Sequence, residues 1–102
     1  MPRVLVRPAA RRDLIHHFAY LGERASIETA RRFIDAAQTT FSELAESPGM
    51  GTRRQVGKFA DIRMWRVRGF EKYLIFYKPR TDAIQIERVV HCAQDYTRVI
   101  GR

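Results

Sequence analysis

Between residues 30 and 44 the apolar positions keep one rhythm. Ala30, Phe33, Ile34, Ala37, Phe41 and Leu44 fall at i, i+3, i+4, i+7, i+11 and i+14, the spacing of one face of an α-helix. Ser26 suits the N-cap of that helix, and Glu28 puts a carboxylate in its first turn, where the helix dipole favours one. Pro48-Gly49 must end it near Ser47. Upstream, Leu14, Phe18 and Leu21 recur at i, i+4 and i+7 with Ile15 beside them, which predicts an earlier helix. Pro8 fits its first turn, and Gly22 or the Glu-Arg-Ala that follows loosens its end. So few residues separate the two helices that they should pack as an antiparallel hairpin.

The rest of the chain reads as short strands. Arg3-Val-Leu-Val-Arg7 is the first. Residues 48–60 read as a loop. Three strands are then expected: Ile62 to Val67, Tyr73 to Tyr77, and Ala83 to Val90, with turns at Gly69 and at Pro79 to Asp82. On the last strand Ile84, Ile86 and Val90 are expected to share a face. Residues 95–100 are expected to form a short helix. The predicted architecture is therefore α+β: an N-terminal strand, a helical hairpin on one face of a small antiparallel sheet, and a short C-terminal helix. The other face is expected to have little covering it. Gln85, Glu87, Val89 and His91 would lie there, with Arg63, Trp65 and Val67 from the first central strand. A length of 102 residues allows one domain, 1–102, with one modest core.

Charge changes this picture from a generic small fold to a candidate binder of polyanions. The chain carries 19 Lys and Arg against 11 Asp and Glu, a net charge of +8. Residues 51–80 hold nine of the cations and two of the acids. So localised a field attracts nucleic acid or an acidic protein. The plainer reading is a soluble basic surface. Cys92 is the one cysteine, which rules out an intrachain disulfide and suits a reducing compartment. The N-terminus lacks a signal-peptide pattern, and the longest strongly apolar run, Tyr73 to Tyr77, is far short of a membrane span. The expected location is the cytoplasm, away from the membrane.

Several chemistries have no support. His16 and His17 are adjacent on a helix, point about 100° apart, and are assigned to the helix surface or its edge. No His/Cys spacing matches a zinc site, and no metal or cofactor is expected. Cys92 and His91 adjoin on a strand and face opposite ways, so they form no nucleophile pair. Gly49, Gly51 and Gly57 lack the lysine and flanking strand of a phosphate loop.

A set of short motifs resembles a known family. Val6-Arg-Pro-Ala-Ala-Arg-Arg-Asp-Leu14 is similar to a strand running into Pro-x-Ala-x-x-Asp-Leu. Phe41-Ser-Glu-Leu-Ala-Glu-Ser-Pro48 is similar to Phe-x-x-Leu-x-x-x-Pro, and Gly51-Thr-Arg-Arg54 to a Gly-x-x-Arg loop. Ile62-Arg63, Val67 and Tyr73-Leu-Ile-Phe-Tyr77 fit the family's central hairpin. Ile86-Glu-Arg-Val-Val-His91-Cys-Ala-Gln-Asp95 fits its closing segment, with Gln94 where arginine is often found. In this order and spacing they resemble the ParE branch of the RelE/ParE toxins.

The resemblance implies the toxin of a type II toxin–antitoxin pair of the plasmid-stabilisation kind. It implies an acidic, ParD-like or other, cognate antitoxin that docks on the hairpin groove or a free sheet edge. Operator DNA would be reached only through that antitoxin. DNA gyrase is the implied target, and no catalytic residue is then required. Target binding would fall to Arg53, Arg54, Arg63, Trp65, Arg66 and Arg88, since Trp and Arg dominate binding hot spots. Each of these has a bland alternative: core packing for Trp65, a solvated loop for Arg53 and Arg54, and a carboxylate such as Glu87 or Asp95 for Arg63 or Arg88.

The same fold in RelE-like relatives is a ribosome-dependent mRNA endonuclease. Metal-free cleavage needs a base, an acid and cations round the phosphate. Lys58, Arg63, Arg66, Arg88, His91 and Tyr96 are available, with Arg63, Arg88, His91 and Tyr96 as the candidate constellation. His91 can equally end its strand and hydrogen-bond locally. A plain nucleic-acid-binding module is the third alternative. The supply of acid–base groups is thin, which favours the binder.

Overall fold

The computed structural model describes residues 3–56 and 59–94. Strand β1 (Arg3–Val6) leads into helix α1 (Pro8–Arg24) and helix α2 (Ile27–Glu46). A single 3-10 turn at Pro48–Met50 follows. Then come β2 (Thr52–Val56), β3 (Phe59–Val67), β4 (Phe70–Arg80) and β5 (Ala83–His91). Ser26 caps α2 as expected, its hydroxyl accepting the Thr29 N–H at 3.0 Å. The segment expected to form a C-terminal helix, residues 95–100, lies outside the described residues.

Two features of the sheet differ from the sequence reading. It is mixed rather than wholly antiparallel: the strand order is β1-β5-β4-β3-β2, and β1 runs parallel to β5. The supposed loop also contains a strand, β2, whose first four residues are all exposed. A strand wet on both faces shows no apolar alternation, so periodicity cannot reveal it. Its arginines leave an edge that resists pairing with other chains.

The helices cover one face. Phe33, Ala37, Phe41 and Leu44 of α2 pack on Val67, Tyr73, Ile75, Tyr77, Ile84, Ile86 and Val89, and Ala10 brings α1 close. Leu14 and Leu21 join this core as partly buried neighbours. Ile15 does not, being 62% exposed. The opposite face carries a second buried cluster of Val56, Ile62, Leu74, Phe76 and Val90, with Met64 against it, where the sequence led us to expect a bare surface.

The assignment of residues to faces was inverted in part. Trp65 packs against the helix-side core and Val67 is buried in it. On β5, Ile84 and Ile86 belong to the helix side and Val90 to the far side. On β5 the cause is a register shift. Tyr77 pairs with Ile86 while Phe76 pairs with Arg88, so one extra residue of β5 bulges out. A bulge exchanges the two faces for everything beyond it. Val89 and His91 thereby come to the helix side, His91 with its ring edge-on to Tyr73 at 5.0 Å.

Two buried hydroxyls lock the layers. Thr40 donates to Ala36 O at 2.7 Å and accepts the Arg68 N–H at 3.1 Å, tying α2 to the β3–β4 turn. The Tyr77 hydroxyl donates to Pro48 O at 2.7 Å and accepts the Gly51 N–H at 2.9 Å. Burial pushes its pKa up, which keeps it a donor. Gly51 is required here, because a Cβ would lie 2.7 Å from Tyr77 Cε1. Tyr77→Phe strands two buried partners and should cost about 1–3 kcal/mol. Gly51→Ala should cost a similar amount, about 1–3 kcal/mol, by overpacking. Urea unfolding checks both, and an unchanged midpoint for Gly51→Ala would refute the contact.

Candidate functional site

The arginine-rich stretch folds into the β2–β3–β4 end of the sheet. Arg53 pairs across from Arg63, and Arg54 from Ile62. Trp65 pairs across from Ile75 and Arg66 from Leu74. An open cavity of about 500 Å³ is lined here by Arg54, Met64, Trp65, Arg66, Arg68 and Glu71, among others. Trp65 is half-buried, with one side on the core and the other on the cavity.

The cations differ in how they are held. Arg63 donates to Gly51 O at 2.6 Å, so it staples the loop beneath Tyr77. Arg53 pairs with Asp61 at 2.6 Å, but both side chains are well exposed, and such a pair contributes little. Arg66 donates to Glu71 O at 2.9 Å. Arg68 is held by the Glu43 carboxylate of α2, with Nε at 3.1 Å from Oε1 and Nη2 on Oε2. That carboxylate holds the Arg68 proton more tightly than usual. The guanidinium of Arg54 has no partner among the described residues. The surface thus offers one uncommitted arginine beside an aromatic ring, one guanidinium held by the Glu71 carbonyl and one held by the Glu43 carboxylate.

Arg88 is elsewhere. β5 lies two strands from β3 and three from β2. Its guanidinium forms a fork with Asp13 of α1, Nε to Oδ2 at 2.7 Å and Nη2 to Oδ1 at 2.8 Å. The carboxylate for an arginine on a strand is therefore Asp13. Asp13 Oδ2 also accepts the Val89 N–H at 2.9 Å. One turn later His17 Nε2 meets Val89 O at 2.8 Å. His91 is held locally, its Nδ1 accepting the Ala93 N–H at 3.0 Å. Arg63, Arg88 and His91 therefore do not converge, and Tyr96 and Lys58 lie outside the described residues.

Asp13, His17, Glu43, Thr40 and Arg68 were missed as contributors. The available signal was the i, i+4 spacing of Asp13 and His17 beside the Leu14–Leu21 stripe. Polar groups at that spacing on a buried edge demand partners. His17 was assigned to the helix surface or its edge. The structure half-buries it, edge-on to Tyr73 at 4.9 Å between ring centres.

This arrangement defines a class: a small basic α+β protein presenting a pinned, arginine-flanked aromatic surface on the edge of a mixed sheet. Over residues 4–96 the chain matches the family model of the ParE toxin of type II toxin–antitoxin systems, parDE, and it belongs to that family. No curated protein matches it. Among solved structures it is similar to a chain of the chromosomal ParDE TA system from P. aeruginosa, with a TM-score of 0.73 and 15% identity. The match covers 89% of this chain and 96% of that one. At that identity the likeness is one of fold.

Two outcomes test the Asp13–His17 clasp. Asp13→Ala removes the carboxylate that the Arg88 guanidinium and the Val89 N–H share and should cost about 2–4 kcal/mol on chemical unfolding; a loss too small to measure would dissolve the clasp. His17 is held below its ordinary pKa of 6.5, chiefly by burial. The unfolded chain therefore binds the extra proton first. The stability contributed by neutral His17 is complete above about pH 6.5 and is lost as pH falls through the lowered folded value. His17→Gln keeps an N–H for Val89 O without titrating. Melting temperatures should fall more steeply from about pH 7 to about pH 5 in the wild type than in this variant. Equal slopes would exonerate His17.

Proposed function

We propose that this ParE-family toxin acts by binding DNA gyrase through the β2–β3 surface, and that a cognate acidic antitoxin neutralises it. The observation that carries the reading is the composition of that surface. Arg54, Arg66 and Arg68 surround Trp65 there, while the one histidine of the candidate nuclease constellation is engaged on the helix side, against Tyr73. Guanidiniums, which stay charged throughout the physiological range, hold anions and do not shuttle protons. Such a surface suits binding better than acid–base chemistry.

The antitoxin follows from membership of a two-component family and from charge. A chain of +8 suits an acidic segment that orders on docking. Operator DNA then enters through the antitoxin. A cytoplasmic role in plasmid or chromosomal stabilisation accords with this; among the described residues no helix is long and apolar enough to cross a membrane.

The deciding experiment sets purified toxin against gyrase supercoiling and against mRNA cleavage on translating ribosomes. Inhibition of supercoiling is expected. Arg54→Ala should weaken it about tenfold, with stability within about 0.5 kcal/mol of wild type. Intact supercoiling together with ribosomal cleavage of mRNA would overturn the proposal in favour of a RelE-like nuclease.

A further inference from the structure

A second pocket lies on the helix side, away from the β2–β3 surface. It occupies about 470 Å³ between the C-terminal half of α1 and the end of β5. Tyr20, Arg24, Tyr73, His91 and Gln94 line it, together with His16 and His17. The proposed gyrase contact makes no use of these groups.

Most of their polar ends are donors, although neutral His17, whose Nε2 donates to Val89 O, keeps Nδ1 as an acceptor. His91 Nδ1 is occupied by the Ala93 N–H, so in the neutral ring Nε2 carries the hydrogen and donates. Gln94 spends its carboxamide oxygen on the His91 N–H at 3.1 Å, which leaves the amide nitrogen as a donor. The Tyr73 hydroxyl keeps its proton, its pKa raised by burial first and by Tyr20 second. Arg24 sits over the Tyr20 ring at 5.5 Å, a cation–π contact that holds its charge near the pocket mouth. The described residues lining the pocket include no Asp or Glu. A hollow whose described lining is mostly donors, with one permanent cation and no carboxylate, selects an anion.

Shape narrows the anion. A lone oxyanion would leave most of about 470 Å³ empty, while the volume falls within the range of roughly 300–1,000 Å³ typical of small-molecule sites. The walls are rings: Tyr20, Tyr73, His17 and His91, with Tyr73 edge-on to both imidazoles at 4.9 and 5.0 Å. Aromatic walls take a flat ligand by stacking or edge contact. Many donors around one cation suit a phosphate, which accepts more hydrogen bonds than a carboxylate. We propose that this pocket binds a nucleoside monophosphate, with the phosphate on Arg24, His91 and Gln94 and the base against the tyrosines. Its occupant would rest on the same stretch of α1 that holds β5 through His17.

Calorimetric titration of the purified full-length chain at low salt tests this with four probes: adenosine 5′-monophosphate, inorganic phosphate, adenosine and a short polyglutamate peptide. The monophosphate should bind saturably at one site, with phosphate and adenosine each about tenfold weaker or worse. Arg24→Ala and His91→Gln should each weaken the monophosphate about tenfold, and Arg54→Ala should leave it unchanged. Arg24 is exposed, so its variant remains decisive if His91→Gln unfolds. The proposal fails if the monophosphate does not saturate, or if Arg24→Ala has no effect. It fails equally if Arg54→Ala abolishes binding, if phosphate alone binds as tightly, or if the peptide outcompetes the nucleotide.

Discussion

The grip of α1 on Val89 is the constraint on which the rest of the structure leans. β1 has four residues and β5 has nine, so β1 stops alongside Ile86 and the remainder of β5 faces outward as an unpaired edge. Unpaired backbone groups at a half-buried edge are costly. Asp13 and His17, one turn apart on α1, supply a hydrogen-bond acceptor and donor to the two backbone groups of Val89. They continue with side chains what β1 no longer provides. Because Asp13 also takes the Arg88 guanidinium, one carboxylate fixes the helix, the edge and the residue just past the bulge together. The bulge turns Val89 and His91 toward the helices, and with Val89 in place the core closes around Tyr73 and Phe33.

This accounts for what could and could not be seen in the sequence. The helical hairpin was legible because α2 has a broad apolar stripe and an unambiguous cap at Ser26. β4 and β5 were legible because each contains a buried run, and β3 through its apolar Ile62, Met64, Trp65 and Val67. β2 was hidden because Arg53 and Arg54 contribute no apolar alternation. The exchange of faces along β5 was hidden for a different reason. A bulge is set by tertiary contacts, here Asp13 on a helix some 75 residues away along the chain, and nothing within Ala83–His91 announces it. The arginines of the candidate site were legible as residues but not as roles. Burial and partners divide Arg63, which staples a loop, from Arg54, which is left to solvent.

That division alters what the net charge means. Nine cations in residues 51–80 suggest a uniformly adhesive surface. In the fold, Arg63 is spent on the Gly51 carbonyl and Arg68 on Glu43, while Arg66 is tied to the β3–β4 turn. The exposed field is therefore narrower and more directional than the count implies, and Arg88, two strands away on β5 and bonded to Asp13, does not add to it.

The same bonds that consume charge also remove motion. Arg68 on Glu43 and Thr40 on the Arg68 N–H anchor the β3–β4 turn to α2, and Glu71, accepting the Gly69 N–H at 2.5 Å, braces the turn itself. At the other end, Tyr77 and Arg63 pin the loop that leads into β2. Trp65 and Arg54 are thus carried on a hairpin whose base is held where the chain enters and leaves it. A protein that works by occupying a partner's surface loses affinity to every side chain and loop that must be ordered on binding, about 0.5–1.5 kcal/mol for each rotamer-rich side chain. Restraint already present in the free chain reduces that loss. An enzyme of the same fold would need its restraint around an acid and a base. Here it surrounds a tryptophan and arginines, and it is this placement of rigidity, more than the sum of charge, that favours a binding role for the basic face.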